Sequence, residues 1–167
     1  MSDIETQRLI IRAFTSTDWE GFQALAIDKE THKRDLHDHT YPTSDDDCRE
    51  ATKYLAGMTG KFFAVCLKRD QALIGLFAFN GINAGKHLDI GHQIHSSYQD
   101  NDLDREALEG IINFAFEHED FESVETNNNP EWAEQLAPLN SLGFTPIEGD
   151  PGHLGITKDV WRTARGK

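Results

Sequence analysis

Two cysteines in 167 residues, Cys48 and Cys66, give neither a disulfide framework nor a pair spaced as metal ligands. Long apolar runs are missing as well: nothing approaches the ~20 residues that a membrane-spanning helix requires. The first residues lack the basic-then-apolar order of a secretory leader, so the cytoplasm is the expected compartment and no membrane partner is expected. Basic residues are scarce, 16 Lys and Arg against 29 Asp and Glu, for a formal charge of −13. Binding to a phosphate backbone draws on clustered Lys and Arg, which excludes nucleic acid from the expected partners. A field of this sign attracts a cation, such as a small amine or a basic protein tail, and equally serves solubility. Low-complexity tracts and fixed-period repeats are absent too, and the length suits one hydrophobic core. A single domain spanning 1–167 follows, as monomer or homodimer.

What is present has a readable order. Thr6 to Phe14 holds the apolar run Leu9-Ile10-Ile11, followed by a turn and a helix in which Thr17 and Glu20 have capping-box spacing. From Asp28 to Thr43 the pattern dissolves into charge, histidine and Tyr41-Pro42, and Ser44-Asp45-Asp46-Asp47 then opens a second helix that runs to about Gly57. Phe62 to Leu67 and Ala72 to Phe79 read as an antiparallel hairpin, with a third strand from Leu88 to His95. Leu103 to Glu117 carries Leu103, Ala107, Leu108, Ile111, Phe114 and Ala115 at helical spacing and predicts one buried face. A short strand from Ser123 to Thr126, a helix opened by Asn129-Pro130, a break at Gly143 and two closing strands complete the chain. The order β-α-α-β-β-β-α-β-α-β-β alternates only in its second half, which predicts an α/β fold on a mixed sheet.

Four segments in this order resemble the GNAT superfamily of N-acetyltransferases, and most closely its RimJ/RimL-like branch. Thr6-Gln7-Arg8-Leu9-Ile10-Ile11-Arg12 is similar to the family's opening Thr-x-Arg-Leu-x-Leu-Arg, and Asp89-Ile90-Gly91-His92 to an acidic residue, Ile-Gly and an aromatic. Leu142-Gly143-Phe144 matches Leu-Gly-Phe, and Ile156-Thr157-Lys158-Asp159-Val160-Trp161 matches the closing Leu-Thr-x-x-x-Trp. The resemblance implies acetyl-CoA as donor, a primary amine as acceptor, direct transfer and no metal. It implies a cofactor site from Ile94 and His95 at the strand end, the loop Gln99, Asp100, Asn101, Asp102, Leu103 and Asp104, and Asn129. In the family such a loop holds the CoA pyrophosphate with backbone N–H groups at a helix N-terminus.

Here the loop departs from the family's Tyr-Gln-Gly-x-Gly-Tyr-Ala, reading Tyr98-Gln99-Asp100-Asn101-Asp102-Leu103-Asp104. Both glycines and the first small residue are aspartates. Asp and Asn accept the backbone angles that glycine adopts better than most residues do. Their charge opposes a phosphate, and a carboxylate capping the helix from Leu103 takes up the same N–H groups. Counted back from Gly143, the family's Asn-x-x-Ser falls on Trp132 and Gln135, and its common tyrosine proton donor on Leu139. Asn127 to Asn129 supply an amide after a shift of register, although Asn129 before Pro130 also reads as a helix cap.

Removing the proton from the acceptor amine calls for a carboxylate, a histidine or a bound water. Asp89, His92 and His95 are the candidates; strict alternation sets His92 on the face opposite Asp89 and His95, unless a bulge intervenes. His37, His39 and Tyr41 are the candidate acceptor-binding residues, on the segment where the family builds its acceptor pocket. Two readings follow: an acetyl-CoA-dependent N-acetyltransferase acting on a protein N-terminus or an amino-metabolite, and a scaffold that no longer binds CoA normally and acts as a binding or regulatory module.

Overall fold

The computed structural model describes residues 3–32, 41–83 and 86–166. Among them, one sheet takes the order β1-β2-β3-β4-β5-β6-β8-β7. Its strands are β1 (Ile4–Glu5), β2 (Leu9–Ala13), β3 (Phe62–Leu67), β4 (Leu73–Asn83), β5 (His87–Ile94), β6 (Ser123–Asn127), β7 (Thr145–Ile147) and β8 (Asp150–Thr157). The helices are α1 (Trp19–His32), α2 (Asp45–Gly57), α3 (Leu103–Glu117), α4 (Ala133–Leu142) and α5 (Lys158–Ala164). Neighbouring strands are antiparallel except β5 with β6, which makes the sheet mixed.

Period-two alternation sorts the strands' side chains onto two faces. Leu9, Ile11, Val65, Phe77, Leu88 and Ile90 pack under the apolar stripe of α3, in one buried cluster with Leu108 and Ile111. The opposite face, with Ala64, Cys66 and Leu76, takes Phe22 and Leu25 of α1 and Cys48 of α2. Ser44 starts α2 by accepting a hydrogen bond from Asp47 N at 3.3 Å. Gly143 ends α4 in the left-handed region at φ 97°, where glycine carries no Cβ penalty.

The structure differs from the sequence pattern in four places. A two-residue β1 precedes the expected first strand, and the closing Trp161 lies on a terminal helix, α5, where it packs into the α3 cluster. The Thr17 hydroxyl pairs with Thr15 at 2.8 Å, and the turn before α1 is closed by Asp18, which accepts from Thr15 N at 2.7 Å and pairs with Arg12 at 2.8 Å. The helix expected from Asn129-Pro130 starts at Ala133, because the Asn129 side chain accepts from Glu131 N at 3.0 Å and holds a separate turn. The bulge lies on β4, between Phe79 and Gly81, so β5 keeps its alternation. His37 and His39 lie outside the described residues. No helix among the described residues is long and apolar enough to cross a membrane.

Candidate active site

The parallel pair β5–β6 holds register for three residues, ending at Asp89 opposite Glu125. Beyond that point the strands part, because β6 runs into the turn at Asn129 while β5 is drawn toward α1. Its extension is tied there by Asp28, a buried carboxylate on α1 that accepts hydrogen bonds from the Ser96 N–H at 3.0 Å and from the Ser96 hydroxyl. Burial alone would raise the Asp28 pKa, but these bonds and the nearby His95 and His32 hold it below the usual carboxylate range. A cleft of about 380 Å³ opens between the strands, lined by Asp89 to Ile94 from β5, Thr126 and Asn127 from β6, Asn128 just after it, and Trp132 and Gln135 at the start of α4. Tyr41 and Lys29 close its α1 side, the Lys29 ammonium lying 3.7 Å from the Tyr41 ring centre.

Four buried polar atoms have no hydrogen-bond partner among the described residues: Asp89 Oδ1, His92 Nε2, Thr126 Oγ1 and Asn128 Oδ1. All four residues line this cleft. Such atoms are rare in folded proteins, and their convergence, with the Asn128 side chain facing His92, makes this cleft the candidate site. Burial raises the Asp89 pKa, against Asn80 and His153, which favour the charged form. Glu125, its neighbour on β6, is held by His153 at 3.3 Å, His87 at 3.4 Å and the Ser123 hydroxyl at 3.1 Å. Burial pushes His92 down to about 4, so its ring is neutral at physiological pH. His92 pairs across β4–β5 with buried Phe77, on which it stacks at 6.1 Å, and so faces α3. Asp89 faces the other way, toward α1 and α2.

The remaining sequence candidates divide. Ile94 and Gln99 line the cleft, and the Gln99 amide donates to the Ile94 carbonyl at 3.2 Å. His95 is not among the lining residues; its Nδ1 accepts from Ser97 N at 3.2 Å and starts the 3-10 turn Ser96–Asn101 that carries Asp100 and Asn101. Asp102 stands at the N-cap of α3 with φ 56°, the glycine-like angle its position demands, and makes no side-chain cap bond. Leu103 is buried under the helix. Asp104 lines the cleft and accepts from Arg105 N at 2.7 Å, taking up one of the helix's first free N–H groups. Burial, reinforced by Asp102, raises its pKa. Asn129 is absent from the lining, whereas Asn128, one residue earlier, is present.

Of the lining residues, Thr126 was not among the sequence candidates, and Asn128 was named only within the run Asn127 to Asn129. Thr126 had the appearance of an ordinary strand residue, and Asn128 could be selected from the run Asn127 to Asn129 only through register. That register is set by β8: Asn128 N donates to the Gly152 carbonyl at 2.8 Å. A Cβ on Gly152 would lie 2.6 Å from the Asn128 carbonyl, so the close approach requires glycine.

Among the described residues, the one parallel pair of the mixed sheet parts over a polar cleft beside the first turn of a long helix. The model of the acetyltransferase (GNAT) domain matches residues 8–145. This chain belongs to the GNAT acetyltransferase family. Within that family it is similar to the uncharacterized N-acetyltransferase YnaD of Bacillus subtilis (strain 168), at 23% identity over 141 residues, covering 84% of this chain and 81% of that protein. A GNAT-family acetyltransferase from Bacillus anthracis superposes with a TM-score of 0.80 at 20% identity, covering 95% of this chain and 99% of that one. RimL, a ribosomal L7/L12 alpha-N-protein acetyltransferase solved in complex with coenzyme A, superposes with a TM-score of 0.76 at 16% identity, over 95% of this chain and 99% of that one. At these identities the solved structures establish the shared fold.

Proposed function

We propose that this GNAT protein transfers an acetyl group from acetyl-CoA to a primary amine, on a protein N-terminus or an amino-metabolite. The observation that supports it is the β5–β6 opening: a cleft at the edge of a helix N-terminus, with partnerless polar atoms contributed from both strands. These residues fit an acyl thioester in the opening. Ile94, Gln99 and the backbone leading to Leu103 are the groups that would hold the cofactor, as the family resemblance implies. The bound donor supplies an activated acyl carbon.

The chain's own task is the proton. An amine with a reference pKa of about 10.4 is charged at neutral pH and cannot attack until it is deprotonated. Asp89, half-buried and with one oxygen unpartnered, attracts the ammonium and accepts its proton; its raised pKa brings it nearer to the amine's and improves that match. His153 and Glu125 hold the surrounding charge in place. His92, neutral and on the opposite face, is a hydrogen-bonding group rather than a base at pH 7.

One observation favours the second reading, a scaffold that no longer binds CoA normally. The Asp104 carboxylate already occupies part of the helix end, and Asp102 and Glu134 share the groove beside it with Arg105. Calorimetric titration decides between them: the proposal expects saturable acetyl-CoA binding and amine-dependent release of free thiol. No heat at millimolar CoA sinks the proposal and leaves the scaffold.

A further inference from the structure

We infer that Asp28 is a positioning residue for the cofactor: its carboxylate, carried on α1, fixes the place of the 3-10 turn Ser96–Asn101 and so of the backbone that would receive the CoA diphosphate. The inference rests on the acyl-transfer reading and names the side chain that prepares its cofactor site. β5 runs out of sheet at this point. Its last pairing with β4 joins Ile94 to Gly75, the His95 N–H still donates to the Ile74 carbonyl at 2.8 Å, and β4 itself begins at Leu73. Ser96 turns to a side chain instead. Asp28 Oδ2 accepts from its N–H at 3.0 Å and Oδ1 from its hydroxyl, while one helical turn earlier the Leu25 carbonyl accepts from the Gln93 amide at 3.0 Å. The other bonds of the turn are local: Ser97 N donates to His95 Nδ1 at 3.2 Å, Tyr98 N to the His95 carbonyl at 2.9 Å, and the Gln99 amide to the Ile94 carbonyl at 3.2 Å. They shape the turn, and Asp28 ties it to α1.

A carboxylate is a costly anchor. Asp28 is only 7% exposed, and taking such a charge out of water stabilises a fold no better than well-packed apolar residues would. Its other neighbours, His32 Nδ1 at 3.3 Å and His95 Nδ1 at 3.9 Å, frame the same spot. What the carboxylate supplies is geometry at the cleft, which Asp28 lines together with Ile94, Gln99 and Asp104. The turn runs on without a break through Asp102, at φ 56°, into the first turn of α3, so a shift at Ser96 is passed to the N–H groups at the helix end. A diphosphate bound by several backbone N–H groups needs all of them in place together, and holding them there beforehand reduces the ordering lost on binding. Freed from Asp28, the turn is left for the ligand to order, and affinity falls.

Calorimetric titration of the full chain with acetyl-CoA, and amide hydrogen exchange of the same chain without ligand, test this tie. Asp28→Ala removes both bonds to Ser96 and is expected to weaken acetyl-CoA binding about tenfold, with faster exchange confined to the stretch from His95 to Leu103. Asp28→Asn is expected to recover most of the loss, because its amide oxygen accepts from the Ser96 N–H while its nitrogen donates to the Ser96 hydroxyl oxygen. Ser96→Ala removes the hydroxyl bond alone, leaves α1 untouched and is expected to weaken binding about threefold; it carries the test if Asp28→Ala does not fold. Unchanged acetyl-CoA affinity in the folded variants overturns the inference and leaves acyl transfer standing. Exchange that quickens throughout the chain also overturns it, since Asp28 then serves stability alone, as does binding by Asp28→Asn no tighter than by Asp28→Ala. No binding of acetyl-CoA by the wild-type chain overturns the inference and the proposed function together.

Discussion

Replacing Asp104 by asparagine removes one negative charge from the first turn of α3 and leaves the side chain's size almost unchanged. In the wild-type chain the carboxylate accepts from Arg105 N at 2.7 Å, and its pKa is raised, first by burial and then by Asp102. A diphosphate held at this helix end would lie about 6 Å from it, where two unit charges repel by roughly 3 kcal/mol at an effective dielectric near 20. Salt with a Debye length of about 8 Å removes part of that repulsion. The remainder corresponds to a gain of roughly ten- to a hundredfold in CoA affinity. The helix itself loses about 0.3–1 kcal/mol, since a carboxylate at its N-terminus is favourable. Asp104→Asn is therefore expected to bind CoA more tightly while melting slightly lower. Isothermal titration at two salt concentrations checks both the size and the origin of the effect, because the gain must shrink as salt rises. Unchanged or weaker CoA binding, at the same salt dependence as wild type, would refute the electrostatic reasoning.

Three further outcomes follow from the structure. Glu106 accepts from the Thr6 hydroxyl at 2.5 Å and Arg8 N at 2.6 Å and pairs with Arg8 Nε at 2.6 Å, tying α3 to the turn between β1 and β2. Burial raises its pKa, but Thr6 and Arg8 outweigh that and hold it low, so its stabilisation is complete above the unfolded-state value and is lost as pH falls through the folded one. Glu106→Gln is expected to cost about 1–3 kcal/mol in urea unfolding at pH 7, and to cost less in acid. His92, lowered by burial to about 4, is expected to show no NMR titration between pH 5 and 8; its linked loss of stability begins as pH drops below about 6.5, where the unfolded chain takes up the proton, and levels off near 4. Cys48 and Cys66 are fully buried with thiols pushed up by burial, so neither is expected to react with a thiol reagent until the protein unfolds, and rapid labelling of the native chain would contradict the packing.

Long elements with strong periodicity were legible from the residues. The bounds of α3, Leu103–Glu117, follow directly from its apolar spacing, and the Ser44 cap and Gly143 stop mark helix ends because capping is a local interaction between a side chain and nearby N–H groups. Short or weakly patterned pieces were not legible. Two-residue β1 exists only through its pairing with β2, and Asn129-Pro130 has the same composition whether it opens a helix or an isolated turn. The candidate site divides in the same way. Asp89, His92 and Gln99 could be chosen by residue type and motif. His95 could not be separated from them, since its removal to a turn depends on the bond from its neighbour Ser96 to Asp28, 68 residues from Ser96 in the chain.

By itself the sequence determined what local chemistry and order determine: a mixed α/β fold, its family, and the carboxylates at the start of α3. The tertiary structure alone decided which polar atoms go unsatisfied. Whether Thr126 and Asn128 are ordinary strand and turn residues or the floor of a cleft depends on β5 and β6 parting after Asp89 and Glu125, and on Gly152 drawing Asn128 against β8. Those contacts join segments far apart in the chain, and burial, which makes an unpartnered oxygen consequential, is a property of the packed fold rather than of any one segment.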